Sequence, residues 1–293
     1  MAHTPVLLQE VIRFLNLRAG DFAIDGTIDG GGHAREVLKM ISPGGTLLGV
    51  DLDAAMIARL QGELSESRSR VELVAGNYAD IPLILEKLDL PAASGLILDL
   101  GFSSDQLESS GRGFSFSKDE PLRMTYAEGA MTAAQAIRKL SERELKLVIS
   151  RFGEERYAGR IAKAIKERER RDPIRTTAEL RTAIENAVPR GYERGRIHPA
   201  TRTFQALRIY VNDELENLKK ILKSVSRIVR PKGRVVVISF HSLEDRTVKQ
   251  AFRDMERETV GVVLTKQPVK PTEEEILKNP RSRSAKLRAL ELQ

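Results

Sequence analysis

The chain has 293 residues, 30% of them charged, a formal net charge of +7 and no cysteine. That length exceeds one ordinary domain and points to a main domain carrying a second element. The missing thiols exclude disulfides, thiolate zinc sites, iron–sulfur clusters and cysteine nucleophiles.

The first half alternates apolar runs with helical patterns. Runs at 22–24, 46–50, 71–74 and 95–100 are separated by stretches such as 54–64, the signature of βαβ units in a doubly wound parallel sheet. After Gly101 the strand pattern stops for about 100 residues and helix-start signals replace it: Ser141 with Glu144 and Thr176 with Glu179 each fit a capping box. The reading is an inserted helical domain over 105–205, with 1–104 and 206–293 forming the sheet domain. A long helix is expected from the apolar spacing of Phe204, Leu207, Val211, Leu215, Leu218, Leu222 and Val225. Pro231-Lys232-Gly233 predicts a tight turn into a strand at 235–240, and apolar segments at 260–264 and 285–292 complete the sheet as a hairpin. The polar segment 267–283 reads as a surface loop. No apolar run reaches the roughly 20 residues a bilayer requires, and the amino terminus lacks a secretory series; a soluble, cytoplasmic protein without a membrane partner is expected.

The positive charge is regional. Residues 151–208 hold fifteen Lys and Arg against eight Asp and Glu, so the inserted part carries the whole excess and suits a polyanionic partner.

A ligand site is expected at the carboxyl edge of the sheet. Asp25-Gly26-Thr27-Ile28-Asp29-Gly30-Gly31-Gly32-His33 follows the first strand and opens the first helix, and its glycines allow close backbone approach. The G-x-G-x-x-G spacing of a dinucleotide site is absent. Asp51 ends the second strand, where a carboxylate can accept from both ribose hydroxyls of a nucleoside. Tyr78 lies past the third strand, where its ring can lie against adenine, and Asp99 ends the fourth. A nucleoside without a pyrophosphate points to S-adenosylmethionine. Each carboxylate alone also fits a strand-end or helix-cap role, and the glycines alone fit tight packing.

The segments His3-Thr4-Pro5-Val6-Leu7-Leu8, the glycine loop, Leu98-Asp99-Leu100-Gly101-Phe102-Ser103-Ser104, Gly111-Arg112-Gly113-Phe114-Ser115-Phe116, His198-Pro199-Ala200-Thr201-Arg202-Thr203-Phe204-Gln205-Ala206-Leu207-Arg208, Ile238-Ser239-Phe240-His241-Ser242-Leu243-Glu244-Asp245-Arg246 and Asn279-Pro280-Arg281-Ser282-Arg283-Ser284 resemble, in order, the signatures of the bacterial small-subunit ribosomal RNA cytosine-N4 methyltransferase family. The resemblance implies a class I methyltransferase domain with a mostly parallel seven-stranded sheet and an inserted α-helical domain. It further implies S-adenosylmethionine as cofactor, 16S RNA of the small ribosomal subunit as partner, and methylation of a cytidine amine in the decoding region. Cofactor positions carry over to Gly31, Gly32, His33, Asp51, Tyr78, Asp99 and Gln106. Ile28-Asp29 and the segment Pro121-Leu122-Arg123-Met124-Thr125-Tyr126 depart from the family pattern.

Without cysteine the chain cannot methylate cytosine at C5 through a thiolate adduct, nor run radical methylation on a cysteine-held cluster. Direct transfer to nitrogen or oxygen remains. Asp99 is the first candidate for catalysis, accepting a hydrogen bond from the target amine, and the competing reading has it hold the cofactor or cap a turn. His241, with Ser242 as a helix cap, is a second candidate beside the cytosine. His198, Arg202, Arg208 and Ser239 are candidate RNA contacts, since arginine forks suit phosphates; Phe204 also fits the apolar stripe of the long helix. The four histidines lack metal-ligand spacing, and no metal is expected. Two other readings stay open: a non-catalytic RNA-binding or ribosome assembly factor, and a methyltransferase acting on another nucleic acid or on a small molecule. A homodimer is one assembly the chain allows.

Overall fold

The computed structural model describes residues 5–64, 67–101, 111–127, 129–192 and 197–293. It divides into two compact units, Met1–Ser103 with Leu215–Gln293, and Ser104–Glu214. The return to the first unit thus falls at 214/215 rather than at 205/206, because the helix over 201–211 packs on a helix of the second unit.

Along the first unit, α1 (Leu8–Leu15), β1 (Phe22–Asp25), α2 (Gly32–Ile41), β2 (Thr46–Asp51), α3 (Ala54–Glu63), β3 (Arg70–Ala75), α4 (Ile81–Lys87) and β4 (Ala93–Asp99) follow one another. The second unit holds α5 (Ala133–Lys139), α6 (Glu142–Gly153), α7 (Ala158–Arg171), α8 (Thr177–Ala187) and α9 (Thr201–Val211). Hydroxyl caps fix its helix starts: Thr132, Ser141 and Thr176 each complete a capping box with the glutamine or glutamate three residues on. Apolar residues at helical spacing, such as Leu145, Val148 and Ile149 of α6 and Ile161 and Ile165 of α7, form its buried faces.

The chain then runs through α10 (Glu214–Ile228), β5 (Val229–Ser239), α11 (Ser242–Arg257), β6 (Gly261–Val263), α12 (Glu273–Lys278) and β7 (Lys286–Leu292). The sheet order is β3-β2-β1-β4-β5-β7-β6. Strands β1 to β5 pair in parallel, and β7 runs antiparallel to both β5 and β6. Residues alternate between two cores, one on each face: Leu96 and Leu98 of β4 join Leu218, Leu222 and Phe252, whereas Ile97 joins Val11, Val37 and Leu60. A sheet buried on both faces explains why its strands read as unbroken apolar runs.

Three local expectations change. The apolar stripe from Phe204 to Val225 is two helices, because the Asn212 amide nitrogen donates to the Met124 carbonyl at 2.7 Å and its oxygen accepts from the Tyr126 N–H at 3.0 Å. Asp213 then takes a left-handed φ of 50°, so the helical path cannot continue. Pro231-Lys232-Gly233 lies inside β5 as an irregularity, with Lys232 at φ 64° and a register shift against β4. The segment 267–283 is not a plain loop: Thr272 caps α12, accepting from the Glu275 N–H, and a 3-10 turn follows at Pro280–Ser284. That segment also makes β6 and β7 antiparallel neighbours across a long connection instead of a tight hairpin.

Candidate functional site

Three neighbouring strands of the first unit end on a carboxylate: Asp25 on β1, Asp51 on β2 and Asp99 on β4. Because the strands are parallel and adjacent in the order β2-β1-β4, all three side chains arrive at one edge, where strand order reverses about β1. The loop between β1 and α2 runs through them and is stitched to each. The Thr27 N–H donates to Asp25 Oδ1 at 3.2 Å, the Asp29 N–H donates to Asp51 Oδ2 at 3.0 Å, and the Asp99 N–H donates to Thr27 Oγ1 at 2.6 Å. Asp51 Oδ1 accepts a further N–H from Asp53 at 2.9 Å.

The glycines divide by role. Gly31 has φ 74° and caps α2, a conformation only glycine adopts without strain. At Gly32 the space a side chain would need belongs to Pro5, whose ring would stand 3.1 Å from any Cβ there, so this glycine lets Pro5 pack against the loop. His33 is 6% exposed; its Nε2 donates to the Val6 carbonyl at 2.9 Å, and its Nδ1 lies 3.6 Å from Asp99 Oδ2. A carbonyl only accepts, so the proton sits on Nε2 and Nδ1 is turned toward Asp99. Asn77 accepts from the Ala79 N–H at 2.9 Å and so fixes the turn that presents half-buried Tyr78. Gln106 lies outside the described residues.

The carboxylates raise one another. Burial pushes the Asp25 carboxyl up to about 7, Asp51 and Asp29 add to the rise, and the Thr27 N–H opposes it. Burial likewise lifts Asp51 to about 6, with Asp29 and Asp53 adding and the N–H groups of Asp53 and Asp29 opposing. Asp99 stands well above the usual carboxylate range through burial first, then the charges of Asp29, Asp25 and Glu244. The nearby cation Arg35 is spent elsewhere, on Glu63 and the Gly30 carbonyl. Asp25 Oδ2 and Asp99 Oδ1 are buried and accept no hydrogen bond among the described residues. A buried acceptor left unmade costs about 1–3 kcal/mol, so this edge fits a ligand that brings donors and positive charge. S-adenosylmethionine, with an ammonium and a sulfonium, is such a ligand.

Sequence reasoning named Asp51 and Asp99 but passed over Asp25 and Glu244. The signal for Asp25 was there: it ends β1 as the other two end their strands. Glu244 is 3% exposed and accepts the Phe240 N–H at 2.8 Å. Its partner His241, not Ser242, is the N-cap of α11: His241 Nδ1 accepts the Glu244 N–H at 3.3 Å and Nε2 lies 3.1 Å from Glu244 Oε1. Ser239 is 1% exposed, and its Oγ donates to the Lys286 carbonyl at 3.3 Å.

In the second unit, His198 stacks on Phe116 at 4.5 Å between ring centres, and its Nε2 lies 3.2 Å from Glu185 Oε1. Phe204 is 4% exposed and meets the edge of Phe116 at 5.4 Å, so it is core. Arg202 donates to the Tyr192 hydroxyl at 3.4 Å. Arg208 is turned inward to Glu214, with Nε 2.9 Å from Oε1 and both side chains 12% exposed.

The sequence profile of the MraW methylase family matches residues 1–293. The chain belongs to the MraW methylase family. A ribosomal RNA small subunit methyltransferase H of Pelobacter propionicus is 46% identical over 306 residues, covering 99% of this chain and 98% of its own. The protein of the same name from Syntrophus aciditrophicus is 43% identical over 305 residues, covering 99% and 97%. A solved SAM-dependent methyltransferase from Aquifex aeolicus aligns with 98% of this chain and 90% of its own, at 10% identity and a TM-score of 0.43. This MraW-family chain is an S-adenosylmethionine-dependent methyltransferase built on a seven-stranded, mostly parallel sheet. Among the described residues no helix is long and apolar enough to cross a membrane.

Proposed function

We propose that this methylase acts in the cytoplasm on the RNA of the small ribosomal subunit, transferring the methyl group to N4 of a cytidine in the decoding region of 16S RNA. One observation carries the chemistry: Asp99 ends β4 with a buried oxygen that accepts no hydrogen bond among the described residues, beside the glycine loop. The names of the relatives support ribosomal RNA as the acceptor. The absence of cysteine supports direct transfer to nitrogen over C5 chemistry.

Gly31, Gly32, His33, Asp51, Tyr78 and Asp99, with Gln106, are the residues that would hold S-adenosylmethionine. When bound, it supplies a methyl group activated by a sulfonium. Asp99 accepts one N–H of the target amine, so the nitrogen lone pair is turned out of conjugation and aimed along the line of transfer. As positive charge develops on that nitrogen the carboxylate stabilises it, and then takes the proton the product must lose. A carboxyl held above its usual range is closer in proton affinity to that task than an exposed one. His33 packs beside Asp99, with Nδ1 3.6 Å from Oδ2, and His241 holds Glu244, whose charge adds to the field at Asp99. His198 and Arg202 are RNA contacts in this reading, Arg208 joins them on leaving Glu214, and Ser239 supports the strand end beside the acceptor.

The test is transfer of label from S-adenosylmethionine to small subunits lacking the modification, followed by digestion and mass spectrometry of the labelled nucleoside. N4-methylcytidine is expected. Label in any other nucleoside, or none despite cofactor binding, overturns the proposal.

A further inference from the structure

Helix α7 carries arginines of two kinds. Arg168 is neutralised locally, its guanidinium 2.8 Å from Asp172 and 3.9 Å from Glu179. Arg156, just before the helix, and Arg160, Lys163 and Arg170 along it are exposed. The helical members recur at spacings of three and seven, which puts them on one stripe. In that stripe Lys163 is loosely paired with Glu167 at 3.9 Å; Arg156, Arg160 and Arg170 have no carboxylate partner among the described residues.

Arg156 and Arg160 are nevertheless held in place, on aromatic rings. The Arg156 guanidinium carbon lies 4.8 Å from the centre of the Tyr192 ring and 5.3 Å from that of Tyr157, and Arg160 lies 5.7 Å from Tyr157. The rings meet edge to face at 5.1 Å. Buried Glu155 anchors both residues: it accepts the Tyr192 hydroxyl at 2.8 Å and the Tyr157 N–H at 2.7 Å. A guanidinium held on a ring face keeps its charge and its N–H fork, whereas one in an ion pair has surrendered both. The first turn of α7 has no acidic residue to offset these charges, and the helix dipole adds to them. The arrangement orders cations without neutralising them, which suits an anionic partner that offers paired acceptor oxygens to a planar N–H fork.

We propose that Arg156 and Arg160, continued by Lys163 and Arg170, bind the phosphate backbone of the RNA substrate and so orient the strand on the second unit. From Arg160 to Arg170 the helix rises about 15 Å, enough to follow several phosphates. This rests on the proposed RNA substrate.

The test is binding of free 16S RNA and of unmodified small subunits across a salt series, for the wild-type chain and for R156Q/R160Q, R156K/R160K and, as a control on α10, K219Q/K223Q. For R156Q/R160Q the slope of log affinity against log salt should shrink by about 1.4, with roughly tenfold weaker binding at moderate salt. R156K/R160K should keep the slope but bind more weakly, since charge remains and the ring-held fork is lost. K219Q/K223Q should leave the slope unchanged, and thermal melting and cofactor affinity should match wild type in all three. An unchanged slope in R156Q/R160Q, while the wild type binds and methylates RNA, overturns this inference and leaves the proposed function standing. A slope reduced equally in K219Q/K223Q also overturns it, since the effect is then general charge. Failure of the wild type to bind RNA overturns both.

Discussion

Replacing Asp25 by Asn tests the electrostatic account of the cofactor edge. Asp25 is 1% exposed, and its carboxyl stands at about 7 against an ordinary 3.8. The folded, cofactor-free chain therefore binds a proton that the unfolded chain has released. For an acid raised in this way, stability is greatest at low pH and is lost as pH climbs from 3.8 through about 7. At about 1.36 kcal/mol per pH unit the full gap is roughly 4 kcal/mol, an upper bound because a buried site relaxes around its charge. Asparagine keeps the shape and cannot ionise, and its amide nitrogen gains carboxylates to donate to. At pH 8 the cofactor-free variant should melt several degrees above wild type, at about 2 °C per kcal/mol; at pH 5 the difference should fall below half of that. Cofactor affinity should move the other way. A cationic ligand favours ionised Asp25 and Asp51, so wild-type affinity should rise from pH 5 to pH 8, and D25N should lose part of that rise. Melting curves and titration calorimetry at both pH values decide it. A variant melting at or below wild type at pH 8, or by the same offset at both pH values, refutes the reasoning.

Asp99→Asn should lower turnover at saturating cofactor by about a hundredfold or more, while cofactor affinity changes far less; equal losses in both would reassign Asp99 to cofactor binding alone. Gly31→Ala forces a side chain into a φ of 74° and to 2.8 Å from Leu60, so unfolding should cost about 1–3 kcal/mol less in urea, with weaker cofactor binding. His241→Ala removes the cap of α11 and should destabilise by about 1 kcal/mol, which His241→Asn, a cap that adds no charge beside Glu244, should restore. If the Asn variant recovers stability but not turnover, His241 acts in the chemistry as well as in the fold.

The sheet domain was legible because both its faces are buried. Leu47, Leu48, Leu96, Ile97 and Leu98 cannot face water, so the strands stand out as apolar runs, and their carboxyl ends locate the ligand edge. The capping boxes at Ser141 and Thr176 were equally plain, since a cap is a local event. Non-local interactions escaped. The break between α9 and α10 depends on Asn212 bonding to Met124 and Tyr126, which no window around Asn212 contains. Two local details escaped for another reason, the choice of partner: Arg208 turns inward to Glu214, and at His241 a ring nitrogen does what a hydroxyl was expected to do. Asp25 was passed over because a single strand-end carboxylate carries little information; its weight comes from Asp51, Asp29 and Asp99 crowding around it.

The order of the strands bears on how the protein is made. Strand β4 pairs with β5, yet the 104–214 unit lies between them in the chain. At about 5–20 residues per second, the β4 edge waits on the order of ten seconds for its neighbour to leave the ribosome. During that interval Leu96, Ile97 and Leu98 present an unpaired, apolar edge, the kind that recruits wrong partners. The second unit is a single continuous stretch of chain and can fold in the meantime. Strand β7, the strand that pairs β6 with the rest of the sheet, emerges later still, so the sheet closes late. A slow stretch of codons placed after residue 214 would lengthen the exposed interval and should lower the yield of soluble protein without changing one residue of it.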